Sequence, residues 1–307
     1  MSDISRRRFL DLSVKLAIGM GLGSSAVPKI VEALEQLESR NAPVLWLQGL
    51  SCSGCSISFL NSDAPGAAQI LTQQISLLFH STLSTATGAT AMEVVHRSID
   101  HGGYYLIVEG SIPLRLPLAC RMGDEPILEL ASRAARNAKA VVAVGTCASF
   151  GGIPAAENNP TGAVGISQLL QDQKVPTPVI NLPGCPAHPD WILGTLAHIL
   201  QFGLPPLDDK RRPKMFYSRI LHDQCPRFAD YERERFAKTF ADDGCFFKLG
   251  CSGPNTYADC SLRQWNDGTN SCIKAGSPCI GCAGEDFASA GSFPFFTKKS
   301  SSEMKKG

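Results

Sequence analysis

The chain has 307 residues, 44% apolar and 19% charged, which fits a packed globular protein of about two domains and excludes a disordered one. A formal net charge of +1 gives no electrostatic footprint for nucleic acid as a partner. Twelve cysteines is a high count for this length, and seven of them fall between Cys225 and Cys282.

At the N-terminus, "SRRRFLDL" (Ser5 to Leu12) precedes the uncharged run "LAIGMGLGSSAV" (Leu16 to Val27). A basic segment followed by a run too short to span a bilayer reads as a targeting peptide. Arg6, Arg7, Phe9 and Leu10 fit a twin-arginine export signal, with cleavage after Ala26 or Ala33. "GLGSSA" matches a dinucleotide-binding pattern, but it lies inside this leader, where no strand precedes it, and is set aside. No other apolar run reaches 18 residues, so no transmembrane helix is expected. The tail from 298 to 307 reads as flexible.

From about 41 to 205, strand and helix patterns alternate. Four runs read as strands: "VLWLQ" (Val44 to Gln48), "YYLIVE" (Tyr104 to Glu109), "AVVAVG" (Ala140 to Gly145) and "PVINL" (Pro178 to Leu182). Each is nearly continuously apolar, as expected of parallel strands buried on both faces. Helix-like segments separate them, for example "PILELASRAARNAKA" (Pro126 to Ala140). The expected fold is an open α/β sheet. "GLPPLDDKRRP" (Gly203 to Pro213) then reads as a linker. Residues 206–297 predict one helix, Phe228 to Phe240, in an otherwise loop-like segment that needs more than an apolar core to hold it.

Three of the four strands run into cysteine turns: "GLSCSGC" (Cys52, Cys55), "GTCASFGG" (Cys147) and "PGCPAHPDW" (Cys185). Open α/β sheets bind ligands at the carboxyl ends of their strands, so these four thiols converge. A 4Fe-4S cluster suits them. Zinc, a thioredoxin-like C-x-x-C pair, and a Cys147 nucleophile with His188 as base are the competing chemistries. A second set is His222, Cys225, Cys245 and Cys251, open to zinc or a cluster. A third is Cys260, Cys272, Cys279 and Cys282. An all-disulfide scaffold is a further alternative, since twelve is even and export points to an oxidising compartment. The twin-arginine route, which carries folded cargo, favours inserted cofactors instead.

The motifs "SRRRFL", "WLQGLSCSGCSISFLN", "EGSIP", "VGTCASFGGIPAA", "NLPGCPAHPDW", "HDQCP", "LGCSGPNTYADC" and "PCIGC" together carry a resemblance. The chain resembles the small, electron-transferring subunit of periplasmic NiFe hydrogenases. The resemblance implies a flavodoxin-like domain followed by an irregular iron–sulfur cluster domain. It implies a proximal cluster on Cys52, Cys55, Cys147 and Cys185, a distal one on His222, Cys225, Cys245 and Cys251, and a medial one on Cys260, Cys279 and Cys282. Nickel belongs to the large subunit, so no catalytic residue is expected here. The implied partners are that NiFe or NiFeSe large subunit and an electron acceptor, either a cytochrome c or membrane quinone-reducing subunits.

Most such relatives carry proline where Cys272 stands, with a 3Fe-4S medial cluster. Cys272 completes a fourth ligand, as in the selenium-containing branch, so three 4Fe-4S clusters are expected; the medial one is 3Fe-4S if Cys272 does not ligate. Gly54 and Gly152 stand where oxygen-tolerant relatives add cysteines, so an ordinary proximal cluster is expected. Cys120 is left over and reads as a buried structural thiol. A disulfide-rich secreted binding protein and a stand-alone ferredoxin-like carrier are the rival functions. Glu109, at a strand end, reads equally as a large-subunit docking group and as a structural carboxylate.

Overall fold

The computed structural model describes residues 42–62, 75–156 and 158–288, together with Gly66 and Gln69. The expected export leader, 1–40, and the 298–307 tail lie outside the described residues.

Continuous apolar runs build the centre. β1 (Ala42–Gln48), β2 (Ile75–His80), β3 (Tyr105–Glu109), β4 (Ala140–Val144) and β5 (Val179–Leu182) form one five-stranded sheet. The order is β2-β1-β3-β4-β5, every pair parallel, which is the flavodoxin-like winding. Four of these strands match the expected runs. β2 is the addition: it is an edge strand, paired only to β1 with a slip between Val44 and Leu45, and half of its side chains are only partly buried. A short mixed run of this kind lacks the fully apolar signature of its neighbours.

Helices cover both faces. On one lie α2 (Gly88–His101), through Ala91, Val95 and Ile99, and α3 (Ile127–Asn137), through Ile127, Leu130, Ala131 and Ala134. These recur at helical spacing, so each helix presents one apolar stripe. On the other lies α6 (Pro189–Phe202), through Trp191, Ile192, Leu196 and Ile199. Between α3 and α6 run the short α4 (Thr146–Phe150) and α5 (Ile166–Asp172), and α1 (Gly54–Leu60) follows β1. The register aligns Gln48, Glu109, Val144 and Leu182 across the sheet. Four strands therefore end on one line, and the turns that follow share one edge.

After Pro205, regular structure is sparse. Phe216, Tyr217, Ala258 and Ala283 of this segment pack onto the α6 face of the sheet. The expected helix over 228–240 is a single short turn, Phe228–Glu232. Glu234 has φ 53°, and the chain folds back so that Ala237 donates to the Cys245 carbonyl at 3.0 Å and Cys245 donates to Arg235 at 2.8 Å. Bringing Cys245 inward takes precedence over the helical pattern.

Candidate metal centres

The first cysteine set assembles as the sheet topology requires. Cys52 and Cys55 follow β1, Cys147 opens α4 after β4, and Cys185 follows β5. Their thiols lie close enough to interact electrostatically: Cys55 with Cys147 and Cys185, and Cys147 and Cys185 with Cys52. Glycines clear the space around them. A Cβ on Gly145 would stand 2.5 Å from the Cys55 sulfur, and one on Gly152 would stand 2.7 Å from the Cys147 sulfur. Both glycines have positive φ, +89° and +54°, where only glycine is unstrained.

Burial pushes the Cys55 and Cys185 thiols upward and Cys147 to about 11, although backbone N–H groups of Ala187 and Ile153 pull back on Cys55 and Cys147. Bare thiols of this kind stay protonated at neutral pH; a bound metal would draw them to thiolate.

Beneath the set lies a polar network that the sequence did not reveal. Glu109 is 2% exposed. Its Oε1 accepts the Cys55 and Ser56 backbone N–H at 3.1 and 3.3 Å. Its Oε2 accepts Trp46 Nε1–H at 3.2 Å, Gln48 Nε2–H at 3.1 Å and the Ser56 hydroxyl. Thr82 N–H donates to His80 Nδ1, so the imidazole proton sits on Nε2 and points at Ser56 Oγ, 3.0 Å away. Burial lowers the His80 pKa. Of the two readings for Glu109, this geometry is the structural one: the carboxylate is interior and ties β1, β3 and α1 together.

The second set, His222, Cys225, Cys245 and Cys251, lines one pocket with Leu221, Phe246, Phe247 and Ile273. The His222 ring is wedged against Tyr231 and Phe228 at 4.4 and 5.2 Å between centroids. Burial raises the Cys225 and Cys245 pKa values.

The third set lines a cavity of about 280 Å³ that contains Cys260, Cys272, Cys279 and Cys282, and Cys185 of the first set reaches its wall. Cys272 therefore belongs with the other three spatially; its thiol interacts with those of Cys260, Cys279 and Cys282. Burial raises Cys279 to about 11 and Cys282 to about 12.

The three sets adjoin in a fixed order. Cys185 N–H faces the Cys282 sulfur, and Cys251 and Cys279 are electrostatic neighbours whose chain segments meet at Ser252 N–H to Cys279 carbonyl, 2.7 Å. The third set thus lies between the first and the second.

Several alternatives fall to geometry. All twelve cysteines are free, so the disulfide scaffold is not formed. His188 donates from Nε2 to the Gln264 carbonyl at 2.7 Å and accepts Asp190 N–H at Nδ1 at 3.1 Å. Both ring nitrogens are used, which leaves none to act as a base for Cys147; His188 is the structural residue expected. Among the described residues no three His, Cys, Asp or Glu side chains are close enough to share one metal ion. Tetrahedral zinc needs its sulfurs about 2.3 Å from a single point, whereas an iron–sulfur cube holds its ligands apart with its own atoms. Cys120 is half-buried against the core, and burial raises its pKa. Among the described residues no helix is long and apolar enough to cross a membrane.

Comparison with known proteins extends this geometry. Residues 52–199 match the family model described as NADH ubiquinone oxidoreductase, 20 Kd subunit. Residues 217–295 match the family model for the C-terminal region of NiFe/NiFeSe hydrogenase small subunits. The periplasmic NiFeSe hydrogenase small subunit of Desulfomicrobium baculatum is 39% identical over 96% of this chain and 99% of its own. The Hydrogenase-2 small chain of Escherichia coli K12 is 40% identical over 91% of this chain and 76% of its own. A crystal structure of the reduced, active NiFeSe hydrogenase from Desulfomicrobium baculatum superposes with a TM-score of 0.80 at 40% identity, covering 85% of this chain and 100% of that one. The chain belongs to the family of NiFe/NiFeSe hydrogenase small subunits.

Proposed function

We propose that this chain relays electrons, released when its large subunit splits hydrogen, along three 4Fe-4S sites to an external acceptor. The carrying observation is the spatial order of the three cysteine sets, with Cys185 against Cys282 and Cys279 against Cys251. When bound, the clusters accept and give up single electrons; the chain fixes their spacing and tunes them through ligand type, hydrogen bonds and burial. Residues 41–205 hold Cys52, Cys55, Cys147 and Cys185. Residues 206–297 hold the other two sets, and the 1–40 leader exports the folded chain to the periplasm by the twin-arginine route.

The large subunit docks beside the first set. Ile57 is 61% and Ile153 51% exposed, and both flank that site, as does Leu60. Exposed aliphatics around a buried redox site suit an obligate partner. At the far end, His222 replaces a thiolate with a neutral ligand, which tends to raise a cluster's potential. That favours electron exit there to a cytochrome c or to membrane quinone-reducing subunits.

Cys272 completes a four-cysteine third site, and EPR of the oxidised complex tests it. The expected spectrum has no strong 3Fe-4S signal; a strong one removes Cys272 from the ligand set. Acid-labile sulfide and iron analysis tests the wider reading, since a binding protein without clusters contains neither. Co-purification of a nickel-containing subunit separates it from a stand-alone carrier.

A further inference from the structure

One side chain joins the first cysteine site to the third. Thr146 is 1% exposed. Its backbone N–H donates to the Gly184 carbonyl at 3.0 Å, and its Oγ1 accepts the Gly184 N–H at 2.9 Å. The same hydroxyl donates its proton to the Cys282 carbonyl. A hydroxyl has one proton to give, so these two bonds fully orient it. Thr146 precedes Cys147 and Gly184 precedes Cys185, so one oxygen fixes the Cys147 turn, the Cys185 turn and the Cys282 segment together.

That fixation has an electronic consequence. The Cys185 backbone N–H lies near enough to the Cys282 sulfur to pull its pKa down against the effect of burial. A short route between the Cys185 and Cys282 sulfurs then runs through the Cys185 side chain, its own N–H and one close contact. Electronic coupling decays slowly along bonded atoms and steeply across an open gap. The Cys282 segment needs an anchor to keep that contact close, and the Thr146 hydroxyl, bonded to the Cys282 carbonyl, is a side-chain anchor to the first site's turns.

We propose that Thr146 is a positioning residue for electron passage between the first and third sites, acting by holding Cys282 against the Cys185 backbone. The proposal rests on the reading of Cys185 and Cys282 as ligands of neighbouring clusters. Iron and sulfide analysis of the wild-type complex decides that reading; the Thr146 proposal stands or falls separately, on complexes with full iron.

The test uses the purified complex of the full chain with its large subunit. Thr146→Val keeps the shape and removes the hydroxyl, leaving the Gly184 N–H and the Cys282 carbonyl without their partner. The expected result is full iron, a weaker magnetic interaction between the first and third clusters in EPR of the hydrogen-reduced complex, and a severalfold lower turnover with a viologen dye. Thr146→Ser, which restores the hydroxyl, returns both readouts to the wild-type values. Thr146→Ala is a second, smaller truncation in case the valine variant does not assemble. Full iron with wild-type EPR interaction and turnover in either truncation overturns the proposal, even if the melting midpoint falls. So does loss of the clusters in both truncations, which assigns Thr146 to assembly alone.

Discussion

Replacing Glu109 with glutamine tests the buried network under the first site. The carboxylate accepts five donors: the Cys55 and Ser56 backbone N–H groups, Trp46 Nε1–H, Gln48 Nε2–H and the Ser56 hydroxyl. An amide offers one acceptor oxygen and one donor nitrogen. With its oxygen toward the two backbone N–H groups, its NH2 faces the Trp46 N–H, the Gln48 amide and the Ser56 hydroxyl, and three donors lose their acceptor; with the amide flipped, it faces the backbone pair, and two do. Gln48 is half-buried and can turn to water, but Trp46 is 1% exposed and cannot. An unsatisfied buried donor costs about 1–3 kcal/mol and a hydrogen bond to a charged group contributes about 1.5–3, so the expected loss is about 3 kcal/mol. At about 2–4 °C per kcal/mol for a domain of this size, the melting midpoint of the complex falls by about 6–12 °C. Scanning calorimetry with parallel iron analysis reads it. A midpoint within about 1 °C of wild type, with weakened binding of the large subunit, would refute the structural role and revive the docking one.

Three further outcomes follow from the geometry. Gly145→Ala places a Cβ 2.5 Å from the Cys55 sulfur on a backbone at φ +89°, so the complex loses the first cluster, about four iron atoms; retained iron contradicts the cradle. His222→Cys adds an anionic ligand and lowers the potential of the second-set cluster in a redox titration; an unmoved potential removes His222 from the ligands. Burial lowers the His188 pKa below its ordinary value of about 6.5, with Arg263 assisting and Asp190 and Asp259 opposing. The unfolded chain then binds that proton more readily, so the stability it contributes is complete above about pH 6.5 and is lost as pH falls toward the folded value. The melting midpoint of wild type drops more between about pH 7.5 and 5.5 than that of His188→Gln, and equal drops count against this linkage.

Much of the architecture was legible because β1, β3, β4 and β5 are buried on both faces and therefore continuously apolar. Their shared termini made convergence of Cys52, Cys55, Cys147 and Cys185 a topological consequence. β2 escaped because an edge strand with half of its side chains partly buried carries no such run. The helix expected over 228–240 stops short although its apolar spacing continues past Glu232, because the backbone turns at Glu234 to seat Cys245. The Glu109 network was illegible for another reason. Ser56 meets His80 and Glu109 at separations of 24 and 53 residues, and only the β1, β2 and β3 registers bring them together. Thr146 is equally silent in sequence, since its partner Cys282 lies 136 residues away.

The placement of the cysteines also explains how a segment with so little regular structure holds its shape. Its own apolar cluster consists of Leu221, Ile273 and Cys279, with Cys225, Cys251 and Cys260 packed against it. Four of those six residues are proposed ligands, so part of what elsewhere would be a purely hydrophobic core is here proposed to hold metal. Buried Phe246 and Ala237 and the ring contacts among Phe228, Tyr231, Phe236 and Phe247 add to it, yet this is little apolar burial for so long a loop-rich segment; metal–sulfur bonds at the proposed sites would supplement it, because ligand binding available only to the folded state is itself folding free energy. The remaining contribution comes from the other domain, through Phe216, Tyr217, Ala258 and Ala283 on the α6 face and the Thr146–Cys282 bond. Cluster loading and docking onto the sheet would then be coupled, which suits the proposed export of a chain already folded and loaded.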